Sequence, residues 1–190
     1  VMLLDILSNG NRPWIVLKNV NAIFQGIKSM ELEGDPAITV TDLVSNEGEQ
    51  VPIKHTGVLP LTGKVENYLN ELIQKMRHEL RAQLGACIAD YAVTGKDGED
   101  RPAWLAGHIS QLSLVTTQQQ WTLCTDAALD KVGAGQKDAL KDYYQIQLRM
   151  LADMIEMVQT NLPKLLRRSA MNVITLEAHS RDISAKMVRI

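Results

Sequence analysis

Aromatic side chains are scarce in this sequence of 190 residues: they make up 4% of it, and Phe24 is its sole phenylalanine. Sheet-dominated cores lean on aromatic and β-branched residues, so the interior must be filled largely by aliphatic side chains and the eight methionines. That balance favours helices. A basic excess is also missing. The formal net charge of -2 speaks against a dedicated binder of nucleic acid or of an anionic membrane, either of which needs positive charge. Cysteine is reduced to Cys87 and Cys124, which form no CxxC or finger-like spacing and read as reduced, buried thiols of a cytosolic protein, a disulfide between them being the lesser alternative. No apolar run approaches the roughly 20 residues a membrane-spanning helix needs. The opening Val1-Met2-Leu3-Leu4-Asp5 has neither the basic start nor the small-residue cleavage site of a signal peptide. It begins without Met, inside what reads as a helix, as expected of a segment from a longer chain.

What is present is mainly helical. Val1–Leu7 reads as the end of a helix stopped by Ser8-Asn9-Gly10-Asn11, and Pro13 suits a first helical turn. From Trp14, apolar residues at Leu17, Val20, Phe24, Ile27 and Met30 step by three and four, predicting one amphipathic helix that Gly34-Asp35-Pro36 breaks. The texture then changes: β-branched Ile38-Thr39-Val40-Thr41 and the segment Val51-Pro52-Ile53-Lys54 flank Asn46-Glu47-Gly48-Glu49, predicting a β-hairpin over 37–54 whose Pro52 belongs on an edge. Gly57–Gly63 reads as a loop. Helical stripes follow: Val65, Leu69, Leu72, Met76, Leu80, Leu84, Cys87 and Tyr91; then, after the polar loop Thr94–Asp100, a helix opened by Pro102 and Trp104 and carrying Ile109, Leu112, Val115 and Leu123 to Gly133-Ala134-Gly135. Leu140, Tyr144, Leu148, Leu151, Ile155, Val158 and Leu162 form a third stripe, with Ile155 at its middle. After Pro163 the last helix carries Leu166, Ala170, Val173, Leu176 or Glu177, Ile183 and Met187. The fold class expected is mainly α: a bundle of long antiparallel helices over 64–190 with one inserted β-hairpin, all of 1–190 forming one fragment.

Chemical motifs are few. Thr62-Gly63-Lys64 and Thr94-Gly95-Lys96 lack both the upstream glycine and the following Ser/Thr of a nucleotide loop, and Gly133-Ala134-Gly135 follows no strand. His55, His78, His108 and His179 stand singly, with no metal-ligand spacing, and no G-x-S-x-G elbow occurs. No catalytic, cofactor-binding or metal residue is therefore assigned. The densest polar cluster is Glu177-Ala178-His179-Ser180-Arg181-Asp182. His179-Ser180-Arg181-Asp182 superficially resembles a kinase H-R-D loop, but Met187 occupies the position of the required Asn and no D-F-G follows. On a helix, Glu177 and Arg181 fall one turn apart and are expected to pair.

The segment VITLEAHSRDISAKM also resembles the helix closing the linker of dynein heavy chains, before their first AAA+ module. Four further stretches follow in the family's order: VMLLDILSNGN, VSNEGEQVPI, GKVENYLNELIQKMRHELR and the Q-Q-x-W-T around Trp121. The chain departs from the family at Tyr68, where Trp is usual, at Gln119-Gln120, and across Leu105–Leu112. VLPLTG leans to the axonemal type. The resemblance implies a non-catalytic, α-helical mechanical segment of a microtubule motor, transmitting changes of an ATP- and Mg-dependent AAA+ ring into a power stroke. Its implied partners are the ring of the same heavy chain and the remaining linker subdomains, with the microtubule only indirectly, and no nucleic acid or membrane. Its implied location is the cytoskeleton, in the axoneme of a cilium or flagellum. Glu177, His179, Arg181 and Asp182 would then be interaction and positioning residues. A different class of reading is a stand-alone helical adaptor that binds a partner helix through the Leu140–Leu162 stripe, which requires that stripe to be exposed.

Overall fold

The computed structural model describes residues 4, 6, 8–34, 39–53, 57, 59–92 and 101–189. The chain forms two compact units, residues 1–83 and 84–190. The expected Lys54 end of the hairpin, His55 and the loop Thr94–Asp100 with Lys96 lie outside the described residues.

In the first unit, Pro13 opens the short helix α1 (Pro13–Val16), where its missing N–H costs nothing. A 3-10 turn (Leu17–Asn19) and α2 (Val20–Ile23) follow, burying Val16, Leu17 and Val20. The predicted helix from Trp14 to Met30 stops here. Phe24 turns extended at φ -121°, and Ile27–Glu33 is strand β1. Gly26 is the physical reason: inside a helix it costs about 1 kcal/mol relative to Ala, and the β-branched segment opposite offers a ladder instead.

That ladder is β2 (Thr39–Ser45), which pairs antiparallel with β1 from Ile27↔Ser45 to Glu33↔Thr39, with irregularities after Ile27 and Glu31. On its other side β2 pairs with β3 (Gln50–Pro52) and with β4 (Leu59–Pro60), so it is the central strand. The expected hairpin is present as β2–β3. Gly48 sits at φ 93°, its N–H donates to the Ser45 carbonyl at 3.0 Å, and the Ser45 N–H donates to the Glu49 carbonyl at 2.9 Å. Pro52, unable to donate, occupies an edge strand as expected. The expected loop over Gly57–Gly63 is corrected by β4, which extends the same edge through Val40↔Leu59. Val40, Leu43, Val51, Ile53, Leu59, Leu61, Val65, Tyr68 and Leu72 are among the buried residues that make this unit's core.

Helix α3 (Val65–Asp90) carries a stripe shifted by one residue from the predicted one in places: Tyr68 and Glu79 are buried, whereas Leu69 and Leu80 are half-buried. Glu79 accepts from Gln83 Nε2 at 2.9 Å, and the same amide nitrogen lies 3.3 Å from the Pro52 carbonyl. The Tyr68 hydroxyl donates to the Gly10 carbonyl at 3.4 Å.

In the second unit the predicted helix from Pro102 to Gly133 is two helices, α4 (Arg101–Gly107) and α5 (Ser110–Gly133), parted at His108-Ile109 after Gly107. Trp104 is buried, donates its indole N–H to the Cys87 carbonyl at 3.0 Å, and meets Tyr91 edge-on at 5.0 Å. Helix α5 ends at Gly133 as predicted, and Gly135 at φ 100° begins the short connection to α6 (Ala139–Gln159). Pro163 precedes α7 (Lys164–Met187). Ser110 bonds Ser169 at 3.2 Å, and the Trp121 indole donates to the Ser184 hydroxyl at 3.3 Å. Partners advancing together along both chains show that α5 and α7 run parallel, with α6 returning between them: an up-down-up bundle.

The seam of this bundle is more polar than its apolar spacing predicts. On α5 the buried residues are Leu112, Ser113, Thr116, Thr117, Thr125 and Ala128, while Val115 and Leu123 are exposed. On α6, Leu140, Gln147, Leu151 and Met154 are buried, and Ile155 is 43% exposed, correcting its expected place at the centre of the core. Helix α6 has neighbours on two sides, so its buried face centres on 147, 151 and 154, and Ile155 lies about 100° around the helix from Met154.

Candidate functional site

The EAHSRD cluster lies wholly within α7, so it is helical, as expected. Its four candidate residues do not converge. His179 is exposed, and Arg181 is half-buried and bonds the carboxylate of the adjacent Asp182 through Nε at 3.0 Å and Nη2 at 2.6 Å. The predicted Glu177–Arg181 pair does not form. Glu177 turns inward and binds Nη2 of Arg101, the first residue of α4. Arg101 is 2% exposed and Glu177 13%.

This buried pair is what reading the sequence missed. The partners lie 76 residues apart, and their only local signal is an arginine directly before Pro102 at a helix start. The pair is incompletely satisfied: Arg101 Nε and Nη1 and Glu177 Oε2 are buried without partners among the described residues. Burial pushes the Glu177 carboxyl above the ordinary carboxylate range, and the Arg101 guanidinium opposes that rise. Tyr91 is raised for the same first reason, burial, with Arg101 acting against it. Tyr143 on α6 is raised strongly by burial, partly offset by a hydrogen bond with Gln147.

Beside Glu177 a cavity of about 470 Å³ opens between α5, α6 and α7, with Thr117, Trp121, Tyr143 and Gln147 among its lining residues. A second, wider depression of about 790 Å³ flanks the α5–α6 connection. Among the described residues no group of His, Cys, Asp and Glu is disposed to hold a metal. His108 Nε2 lies 2.9 Å from Asp90 Oδ2, His78 is exposed, and Lys64 projects from an exposed stretch. No helix among the described residues is long and apolar enough to cross a membrane.

Residues 2–87 match the family model described as dynein heavy chain, N-terminal region 2. Similarity continues well past that match. The alpha chain of the flagellar outer arm dynein of Chlamydomonas reinhardtii is 37% identical over 187 residues, 95% of this chain. The human axonemal dynein heavy chain 9 is 32% identical over 190 residues, and the ciliary dynein beta chain of Tripneustes gratilla 30%, each over 98% of this chain. The chain belongs to the dynein heavy chain family. It spans about 4% of the length of these relatives. Within this dynein segment the family model takes in the four-stranded sheet and α3 as far as Cys87. The Arg101–Glu177 pair and EAHSRD lie beyond it, in the part covered by the full-length relatives.

Proposed function

We propose that this segment is a non-catalytic mechanical element of an axonemal dynein heavy chain: the ring-proximal part of the linker, which transmits ATP-driven changes of the AAA+ ring into the power stroke. The reading is supported by the names of the relatives and, above all, by the way α7 is held. The helix is fixed from inside by the Arg101–Glu177 pair and by hydroxyl contacts to α5, while His179 and the Arg181–Asp182 pair are turned outward. An anchored helix with outward charges near its end suits transfer of strain to a neighbouring module better than proton transfer, which needs convergent groups. ATP and Mg would act in the ring, and the segment itself would carry no ATPase site. Its partners would be that ring and the other linker subdomains, within the axoneme.

Arg181→Ala in a complete heavy chain tests this reading, with ATP turnover and microtubule gliding measured on the same protein. Gliding should fall while turnover persists, because the guanidinium contributes both ion pairing and stem packing where it meets a neighbour. Wild-type values for both would refute a mechanical role for the cluster.

A further inference from the structure

Strand β1 is an outer strand of its sheet: among the described residues it pairs with β2 alone. The register with β2 sorts its side chains. Met30 lies opposite the buried Leu43 and Leu32 opposite the buried Val40, so both stand on the core side of the sheet. Yet Met30 is only half-buried and Leu32 is 38% exposed. On the other side Glu31 lies directly opposite Asp42, with Glu33 beside it, and both glutamates are exposed. Carboxylates facing each other across a ladder repel, and none of the three is ion-paired among the described residues. The hydroxyls of Thr39 and Thr41 lie 3.1 and 3.5 Å from the carbonyls of Glu33 and Glu31, so the backbone of these two residues faces β2. By the alternation of a strand, Met30 and Leu32 direct their N–H and C=O groups outward, away from the sheet.

We infer that the free edge of β1 is a docking site for an extended segment of another polypeptide, alternately basic and apolar, which adds a strand through Met30 and Leu32. Its basic side chains lie beside Glu31 and Glu33, and its apolar ones continue the core side past Met30 and Leu32. Edge strands are commonly guarded by bulges and by charge. The bulge here leaves most of the edge open: Lys28 is the extra residue after Ile27, the second irregularity adds Thr41 to β2, and Ser29–Glu33 runs without interruption on its free side. The charge guards against one class of partner only. A second copy paired through the same edge would set Glu31 and Glu33 against their own counterparts, so self-pairing is disfavoured. A strand of opposite charge relieves the Glu31–Asp42 repulsion instead. The inference does not rest on the mechanical role, since the edge is read within the first unit alone.

The test titrates the full chain with the peptide acetyl-Thr-Lys-Val-Arg-Val-Lys-Thr-amide, reading affinity by calorimetry and amide hydrogen exchange by NMR. Saturable binding is expected, with exchange slowed at the amides of Met30 and Leu32, which face outward, and little changed at Glu31. Affinity should fall about tenfold in the double variant Glu31→Gln/Glu33→Gln, which removes two charge pairs, and should weaken as salt rises. Leu32→Pro deletes an outward N–H that β2 does not use, so it should abolish binding while far-UV circular dichroism stays unchanged. Should that variant misfold, the same peptide N-methylated at both valines, which cannot complete the ladder, makes the equivalent test on the unaltered chain. The inference is overturned by an absence of saturation at millimolar peptide, by equal affinity for the peptide with Glu in place of Lys and Arg, or by undiminished binding of the N-methylated peptide, which would show attraction of charge without an added strand. Dimerisation of the chain in sedimentation that Leu32→Pro abolishes would overturn it too, by giving the edge to a second copy.

Discussion

Removing Arg101 should cost more than removing almost any other polar side chain of the second unit. At 2% exposure it lies out of water, and Arg101→Met leaves Glu177, 13% exposed, as a buried carboxylate without its cation. Breaking a buried ion pair from one side costs about 3–5 kcal/mol, whereas replacing both members by apolar residues is often neutral or stabilising. The double variant Arg101→Met/Glu177→Leu should therefore recover most of the loss, the more so because Arg101 Nε and Nη1 and Glu177 Oε2 have no partner among the described residues even in the intact pair. The dependence on pH has a definite sign. Burial raises Glu177 in the folded state and Arg101 holds that rise down, so deleting Arg101 raises it further. A carboxyl whose folded pKa lies above its unfolded one stabilises most below the unfolded value and loses that contribution as pH rises through the folded value. The Arg101→Met deficit should thus be largest at neutral pH and shrink toward pH 4.5, the ordinary glutamate value. Urea denaturation in a Trp14→Phe background, where Trp104 and Trp121 report on the second unit, measures it. A single-variant loss under about 1 kcal/mol, the scale of exposed pairs, or a deficit independent of pH, would refute the argument.

Leu151→Ala should cost about 2–5 kcal/mol in the same denaturation experiment, and Ile155→Ala less than half as much; equal losses would show that the buried face of α6 is misplaced. Gly48→Ala places a side chain at φ 93° and should destabilise the first unit by about 1 kcal/mol or more, seen as a lowered urea midpoint by far-UV circular dichroism. Cys124, half-buried, should react with a thiol reagent well before Cys87, which is buried and whose thiol burial pushes up; mass mapping of the first modified cysteine decides it.

Helices α6 and α7 were legible because their three-four spacing runs for five or more turns from one side of Pro163 or the other, and the end of α5 was legible from Gly133-Ala134-Gly135, though its separation from α4 was not. The hairpin was legible from a glycine placed between β-branched segments. Strand β1 was not, because Val20, Phe24, Ile27 and Met30 satisfy a helical period that only Gly26 contradicts. The phase of α6 was also hidden: Ile155 is as apolar as Met154, and only the two neighbouring helices decide which of them turns inward. The Arg101–Glu177 pair is a tertiary fact. A nearer partner, Arg181, was available at helical spacing, yet it is engaged by Asp182. The family was legible from five short stretches in a consistent order, none of them sufficient singly.

The grip on α7 also has a geometrical consequence. At 1.5 Å per residue the 24-residue helix is a rod of about 36 Å, held at Glu177 roughly 20 Å from Lys164 and 15 Å from Met187. A clasp at such a point acts as a fulcrum. A tilt of about ten degrees around it would carry the Met187 end some 2–3 Å one way and the Lys164 end some 3–4 Å the other. On that outer arm Ser184 accepts from the Trp121 indole, so such a tilt would have to break that bond or carry α5 along with it.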